Sequence, residues 1–272
     1  MFKVDRRNMA RGALGVLAAG AALMTGREEA RAQTLDELIS QGKLRVAIDT
    51  TTPPYASLDS AMAPQGLDID FARLLAKSLG TPIEFVTVNS PGRIPALLTK
   101  RVDMVISIFS ITPERALQVA FSNPYAGQSS VLVAPKSRAI KGPEDLKGLK
   151  VAVTRGAMED IVLTGDAKTV PGMTILRFDD YPSTAQAMLS GQVDAMGGGD
   201  YGDIYLKKSA SGDEFEQKFA LHAFHFGVGI RRGNPDLLHW INTFIYFNKN
   251  DGTLNNLSMK WRNKPAIDLP TF

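Results

Sequence analysis

Two stretches of this chain read alike: "ALLTKRVDMVISIFS" (Ala96 to Ser110) and "AMLSGQVDAMGGGD" (Ala187 to Asp200). In both, two apolar residues precede a Thr or Ser, a Val-Asp pair follows (Val102-Asp103, Val193-Asp194), and small or apolar residues come next. Each closes a similar series. The first is "KLRVAI" (43–48), a helical period over 69–79, "IEFVTV" (83–88), a second helical period over 93–100, then "VDMVISI". The other is "LKVAV" (149–153), a weak helix over 158–164, "MTILRF" (173–178), a helix over 183–190, then "VDAMG". Near-continuous apolar strands alternating with helical periods are the pattern of β-α-β units with parallel sheets. The duplication predicts two α/β lobes, each offering ligand-binding groups at the carboxyl ends of its strands, facing each other across a cleft. The C-terminal part does not repeat. A strand over 222–232 returns the chain, an amphipathic helix covers 234–252, a short helix covers 253–262, and a Pro-punctuated tail follows.

The first 32 residues differ from the rest. A basic segment with Arg6-Arg7, an uncharged apolar run from Gly12 to Gly26 and "ARA" (Ala30 to Ala32) make the layout of an export leader. The arginine pair points to the twin-arginine (Tat) route, although Asn8-Met9-Ala10-Arg11 stand where that route favours Phe-Leu-Lys. The whole chain has 31 bases and 28 acids. Removing the leader takes away six bases and three acids and leaves 25 of each, so the pI near 9.0 belongs to the leader. The remaining balance gives no argument for nucleic acid or an anionic membrane as partner. With no cysteine, disulfides and thiolate metal sites are excluded. No second apolar run reaches membrane-spanning length, so the product is expected to be soluble; with the export leader, the expected compartment is the periplasm, and a monomer is expected.

The chemistry concentrates in "SIFSITPERALQVAFSNPY" (Ser107 to Tyr125). Thr112 suits an N-cap, Pro113 the first helical position and Glu114 the first turn, so a short helix starts at Pro113 just past a strand tip. Arg115 brings a planar fork suited to a carboxylate, and Ser110 a hydroxyl. A buried arginine needs an anion. Spacing alone leaves two readings open: a visiting carboxylate, or a resident Asp or Glu. Other signals are weak. His222 and His225 stand three apart, on opposite faces of a strand, and His239 is isolated, which speaks against a metal site. "GGGD" lacks the lysine and glycine spacing of a phosphate loop, no nucleophile elbow is present, and no cofactor is expected. The apolar face over 234–248 reads as core.

At these residues the chain resembles the family 3 solute-binding proteins, the exported amino-acid-binding proteins of bacterial ABC importers. The resemblance rests on "LRVAIDTTTPPY" (44–55), "GLDIDFARLLAKSLG" (66–80), "RIPALLTKRVDMVISIFSITPERALQVAFSNPY" (93–125), "DLKGLKVAVTRGAMED" (145–160), "GQVDAM" (191–196) and "DGTLNNLSMKW" (251–261). It implies the type II periplasmic-binding fold: two doubly wound, mainly parallel lobes, 33–127 plus 228–272 and 128–227, with a two-strand hinge near Val131 and Phe226. It implies a small amino acid or similar zwitterion as ligand, an inner-membrane ABC permease as partner, and no catalysis. Arg115 would grip the α-carboxylate, helped by Ser110 and the backbone of Ile108, and Thr52 would line the side-chain pocket with Tyr55 as a further wall. Two departures stand out. Ala157 occupies the place of a threonine, with Arg155 as a substitute. The amine-binding aspartate falls on Gly199, so a bulge at the triple glycine is expected to bring Asp200 into place. Asp49 and Arg93 are candidates for a charged ligand side chain; polar, acidic and basic amino acids all fit. The alternative function is an exported dehydratase of the cyclohexadienyl or arogenate type on the same scaffold, with Glu159 as its acid or base.

Overall fold

The structure, a computed structural model, describes residues 34–201, 205–209 and 211–271; the expected leader lies outside them. After α1 (Leu35–Ser40), the first series folds as β1 (Leu44–Ile48), a small ribbon of β2 (Ser57–Leu58) and β3 (Pro64–Gln65), α2 (Leu67–Ser78), β4 (Ile83–Thr87), α3 (Arg93–Leu98) and β5 (Met104–Val105). The short helix α4 (Pro113–Ala116) leads into β6 (Ala120–Pro135). The second series is β7 (Lys150–Thr154), α5 (Met158–Asp166), β8 (Thr174–Phe178), α6 (Tyr181–Leu189) and β9 (Ala195–Gly199). The chain returns through β10 (Phe215–Ile230) and ends in α7 (Pro235–Asn250) and α8 (Thr253–Arg262).

Eight strands form one hydrogen-bonded sheet in the order β4-β1-β5-β10-β6-β9-β7-β8. Parallel pairing is confined to its two ends, β4-β1-β5 and β9-β7-β8. The repeated Val-Asp pair has the same task in both. Asp103 accepts from the backbone N–H of Arg45 at 2.9 Å, and Asp103 N–H donates to the Arg45 carbonyl at 2.8 Å. Asp194 makes the equivalent two bonds with Lys150, both at 2.8 Å. Each aspartate thus pins the start of the neighbouring parallel strand, and an arginine neutralises it: Arg45 at 2.7 Å from Asp103, Arg138 at 2.5 Å from Asp194. The motif fixes strand register at the end of the sheet opposite the strand tips.

The two ends of the sheet have separate cores. One gathers Leu44, Val46, Phe71, Leu75 and Met104 against Ile241 and Ile245 of α7, with Phe71 stacked on Tyr125 at 4.2 Å. The other gathers Val131, Val133, Ala152, Ala185, Met188 and Met196. Between them, β6 and β10 pair over sixteen residues each and carry both sheet halves. β9 pairs with β6 over residues 130–133, and β5 pairs with β10 at Gly229 and Ile230. Over 124–129 and 223–228 the two strands therefore pair only with each other, apart from an isolated bridge from Ser110 to Phe226. Phe226 falls in this narrow waist; Val131 lies beyond it, paired to Gly198.

The expected bulge at the triple glycine is absent. Gly197, Gly198 and Gly199 are a regular end of β9, in register with Leu132, Val131 and Ser130, and none has positive φ. Their role is space rather than backbone freedom. A Cβ on Gly197 would lie 2.8 Å from Cβ of Glu159, and one on Gly199 would lie 2.4 Å from Tyr201.

Candidate functional site

The strand tips of both halves face a cavity with about 560 Å³ of empty space, counting its mouth. From the first half it is lined by Asp49, Thr52, Ser90, Arg93, Ser107, Ile108, Ser110 and Arg115. From the waist and second half come Gln128, Thr154, Ala157, Met158, Glu159, Tyr181, the three glycines, Tyr201 and Phe224.

Arg115 stands where the sequence predicted, in the first turn of α4. Thr112 accepts from the backbone N–H of Arg115, completing the cap. The preceding loop is tied to the waist by Ile111 N–H donating to the His225 carbonyl and Gly227 N–H donating to the Phe109 carbonyl. The guanidinium donates to the Ser110 carbonyl at 2.9 Å and, across the cavity, to the Gly156 carbonyl at 3.0 Å. Among the described residues it forms no ion pair with a carboxylate. Burial and the like charge of Arg93 pull its pKa down to about 9, against the pull of Glu159 and Glu114. A cation so placed gains from any anion that arrives.

Arg93 is buried, and burial lowers its pKa, with Asp49, Asp68 and Glu159 opposing. It donates to the carbonyls of Ser90, Ser107 and Ile108. The ring of Phe109 lies under both guanidiniums, 5.5 Å from Arg93 and 5.3 Å from Arg115. Such stacking stabilises buried cations without neutralising them. Ile108 lies between the two arginines with φ of +44°, a strained conformation for a β-branched residue. Asp68 holds it there, accepting from Ile108 N–H at 2.8 Å and from the Tyr125 hydroxyl at 2.8 Å.

Seven of the expected site residues meet in the cavity: Arg115, Ser110, Ile108, Thr52, Ala157, Asp49 and Arg93. Three do not. Asp200 follows a regular strand end instead of a bulge; its carboxylate pairs with Arg262 at 2.9 Å and Lys264 at 3.5 Å, outside the cavity. Tyr55 is fully buried in the core, its hydroxyl donating to the Gly127 carbonyl and its ring edge-on to Tyr201 and Phe226. Arg155 points to solvent and pairs with Asp179 at 3.3 Å.

The acid that the second half brings to the cavity is Glu159, in the first turn of α5 and 7% exposed. Its Oε1 accepts from the Ser130 hydroxyl at 2.7 Å. The sequence names Glu159 only for catalysis and does not single out Gln128, Tyr181, Tyr201 or Phe224. No periodic signal marks Gln128, because Gln128, Ser129 and Ser130 are a continuous polar run within the strand.

Comparison with known proteins identifies the family and the fold. The profile of bacterial extracellular solute-binding proteins, family 3, matches residues 44–264. The L-cystine-binding protein TcyJ of Escherichia coli is 31% identical over 229 residues, 84% of this chain and 85% of that protein. Among solved structures, an ancestral arginine-binding protein bound to arginine is 34% identical with a TM-score of 0.76, covering 81% of this chain and 98% of that one. An ancestral amino acid-binding protein described as a precursor of cyclohexadienyl dehydratase is 35% identical, also with a TM-score of 0.76, covering 84% and 98%. The shared fold is the type II periplasmic-binding fold.

Proposed function

The chain belongs to the bacterial extracellular solute-binding proteins, family 3, and from that premise we propose that it captures a free amino acid or a close zwitterionic relative in this cavity. The observation that carries the reading is Arg115: a guanidinium lining the cavity, with backbone carbonyls but, among the described residues, no carboxylate as partners. The ligand's carboxylate docks on Arg115 and its ammonium faces the wall that holds Glu159. Removing a zwitterion from water is costly, and pairing both charges offsets that cost. Two bases and two acids line the cavity, Arg93 and Arg115 against Asp49 and Glu159, which suits a ligand with no net charge.

In this reading 33–127 with 228–272 form one lobe, 128–227 the other, and the waist of β6 and β10 lets them close on the ligand. Residues 1–32 direct export, and the loaded protein hands its ligand to an inner-membrane ABC permease. Relatives named for cystine and arginine support an amino acid as cargo. The test is calorimetry with the twenty L-amino acids and L-cystine. Arg115→Ala is expected to weaken the best ligand at least a hundredfold, about 3 kcal/mol, because it breaks a buried ion pair. A change under threefold removes Arg115 from the site.

The position of Glu159 inside the cavity favours one second reading, a dehydratase of the cyclohexadienyl type, since such an enzyme needs a placed acid or base. Incubation with prephenate or arogenate separates the two: an aromatic product whose formation stops in Glu159→Gln supports the enzyme, and no product supports the binding protein.

A further inference from the structure

We propose that Gln128 reads the ligand: with Glu159 it forms an acceptor wall that holds a primary ammonium group and rejects an ammonium that carries no N–H. The inference rests on the amino-acid reading above. Gln128 lines the cavity and is 4% exposed, yet its Oε1 is buried without a hydrogen-bond partner among the described residues. A buried amide oxygen left unpaired is unfavourable, and native proteins hold few of them. Here the oxygen belongs to a side chain at the cavity wall, where a donor from the ligand satisfies it.

The neighbouring geometry makes this a built site. β6 is regular at this point, with Gln128, Ser129 and Ser130 facing Phe224, Ala223 and His222 without a register shift. Side chains two apart share a face, so Gln128 stands beside Ser130, the residue whose hydroxyl orients Glu159. The adjacent strand leaves room on the same side. A Cβ at Gly199 would come within 2.7 Å of Gln128 Oε1, as one at Gly197 would meet Glu159. Alternate glycines therefore seat an amide oxygen and a carboxylate side by side. Asp200, the acid that directly follows β9, is committed to Arg262 and Lys264. A primary ammonium presents three N–H groups to such a wall; a trimethylammonium presents none, and its methyl groups would leave the Gln128 oxygen unpaired.

The test is calorimetry on the purified protein with the same amino-acid panel, and with glycine betaine as the probe that lacks N–H. Gln128→Met is expected to weaken the best amino acid at least tenfold, and a cooperative melt of ligand-free Gln128→Met is the control that it folds. Gln128→Glu keeps an acceptor at the same reach and is expected to bind within threefold of the parent. Glycine betaine is expected to give no binding heat. The inference is overturned if Gln128→Met binds within twofold of the parent, if Gln128→Glu loses tenfold, or if glycine betaine binds as tightly as the best amino acid. Loss at Arg115→Ala without loss at Gln128→Met sinks this inference alone. An Arg115→Ala variant that binds like the parent, or a parent that binds nothing in the panel, sinks the amino-acid reading and this one with it.

Discussion

The carboxylate of Asp68 is fully buried at the start of α2 and keeps Ile108 in its left-handed conformation between the two arginines. Burial pushes its pKa up to about 7, against the pull of its hydrogen bonds from Ile108 and Tyr125 and of the Arg93 charge. A raised carboxylate pKa means that the folded chain holds this proton more tightly than the unfolded chain. Stability from this group is therefore greatest at low pH and declines as pH rises from about 4 to about 7, by at most about 1.4 kcal/mol per pH unit. Asp68→Asn keeps an acceptor for Ile108 and cannot titrate. Urea denaturation is expected to show the stability difference moving in favour of Asp68→Asn as pH goes from 5 to 7; a constant difference refutes the assignment. At this scale Arg115 was legible, because cap, proline and arginine are adjacent in sequence. Tyr55 and Asp200 were not. Their contacts, Gly127 and Arg262, lie far along the chain, and no local pattern announces them.

Among the elements, β9 shows how little side chain a functional wall can need. Its glycines are extended, so they serve the close approach of Glu159, Tyr201 and Gln128 rather than a turn. Gly199→Ala is expected to lower stability by about 1–3 kcal/mol through overpacking and to weaken ligand binding at least tenfold. A Gly199→Ala protein that matches the parent in both melting and calorimetry would show that the wall has slack. The two β-α-β-α-β series were readable because each strand stays in one environment and is mainly apolar. β6 and β10 were read only in part, although they are the longest strands. Each passes from one sheet half through the waist into the other, so its neighbours change along its length. β6 is accordingly interrupted by Ser122, Asn123, Gln128, Ser129 and Ser130, and β10 opens with Glu216, Gln217 and Lys218. No single period describes such a strand.

In the molecule as a whole, among the described residues, Tyr205 and Arg115 each reach from one sheet half to the backbone of the other. Tyr205 donates its hydroxyl to the Thr51 carbonyl at 3.1 Å, and Arg115 donates to the Gly156 carbonyl. Both tie the first series to the second at the level of the strand tips. A bond present only when the halves are together contributes to affinity through the population of that state. Tyr205→Phe removes one bond, about 1 kcal/mol, and is expected to weaken ligand about fivefold while small-angle scattering of the ligand-free protein shifts toward larger dimensions. Unchanged affinity and scattering would mean that Tyr205 is decorative. The two crossing strands are also bonded to each other along nearly their whole length. A pair of separate tethers would let one half slide, tilt and swivel against the other. A laced ribbon resists shear and in-plane bending, and yields to flexing out of its plane and to twist about its own axis. If the halves close as proposed, these two motions are the ones the ribbon leaves them, and the walls would meet in a repeatable alignment.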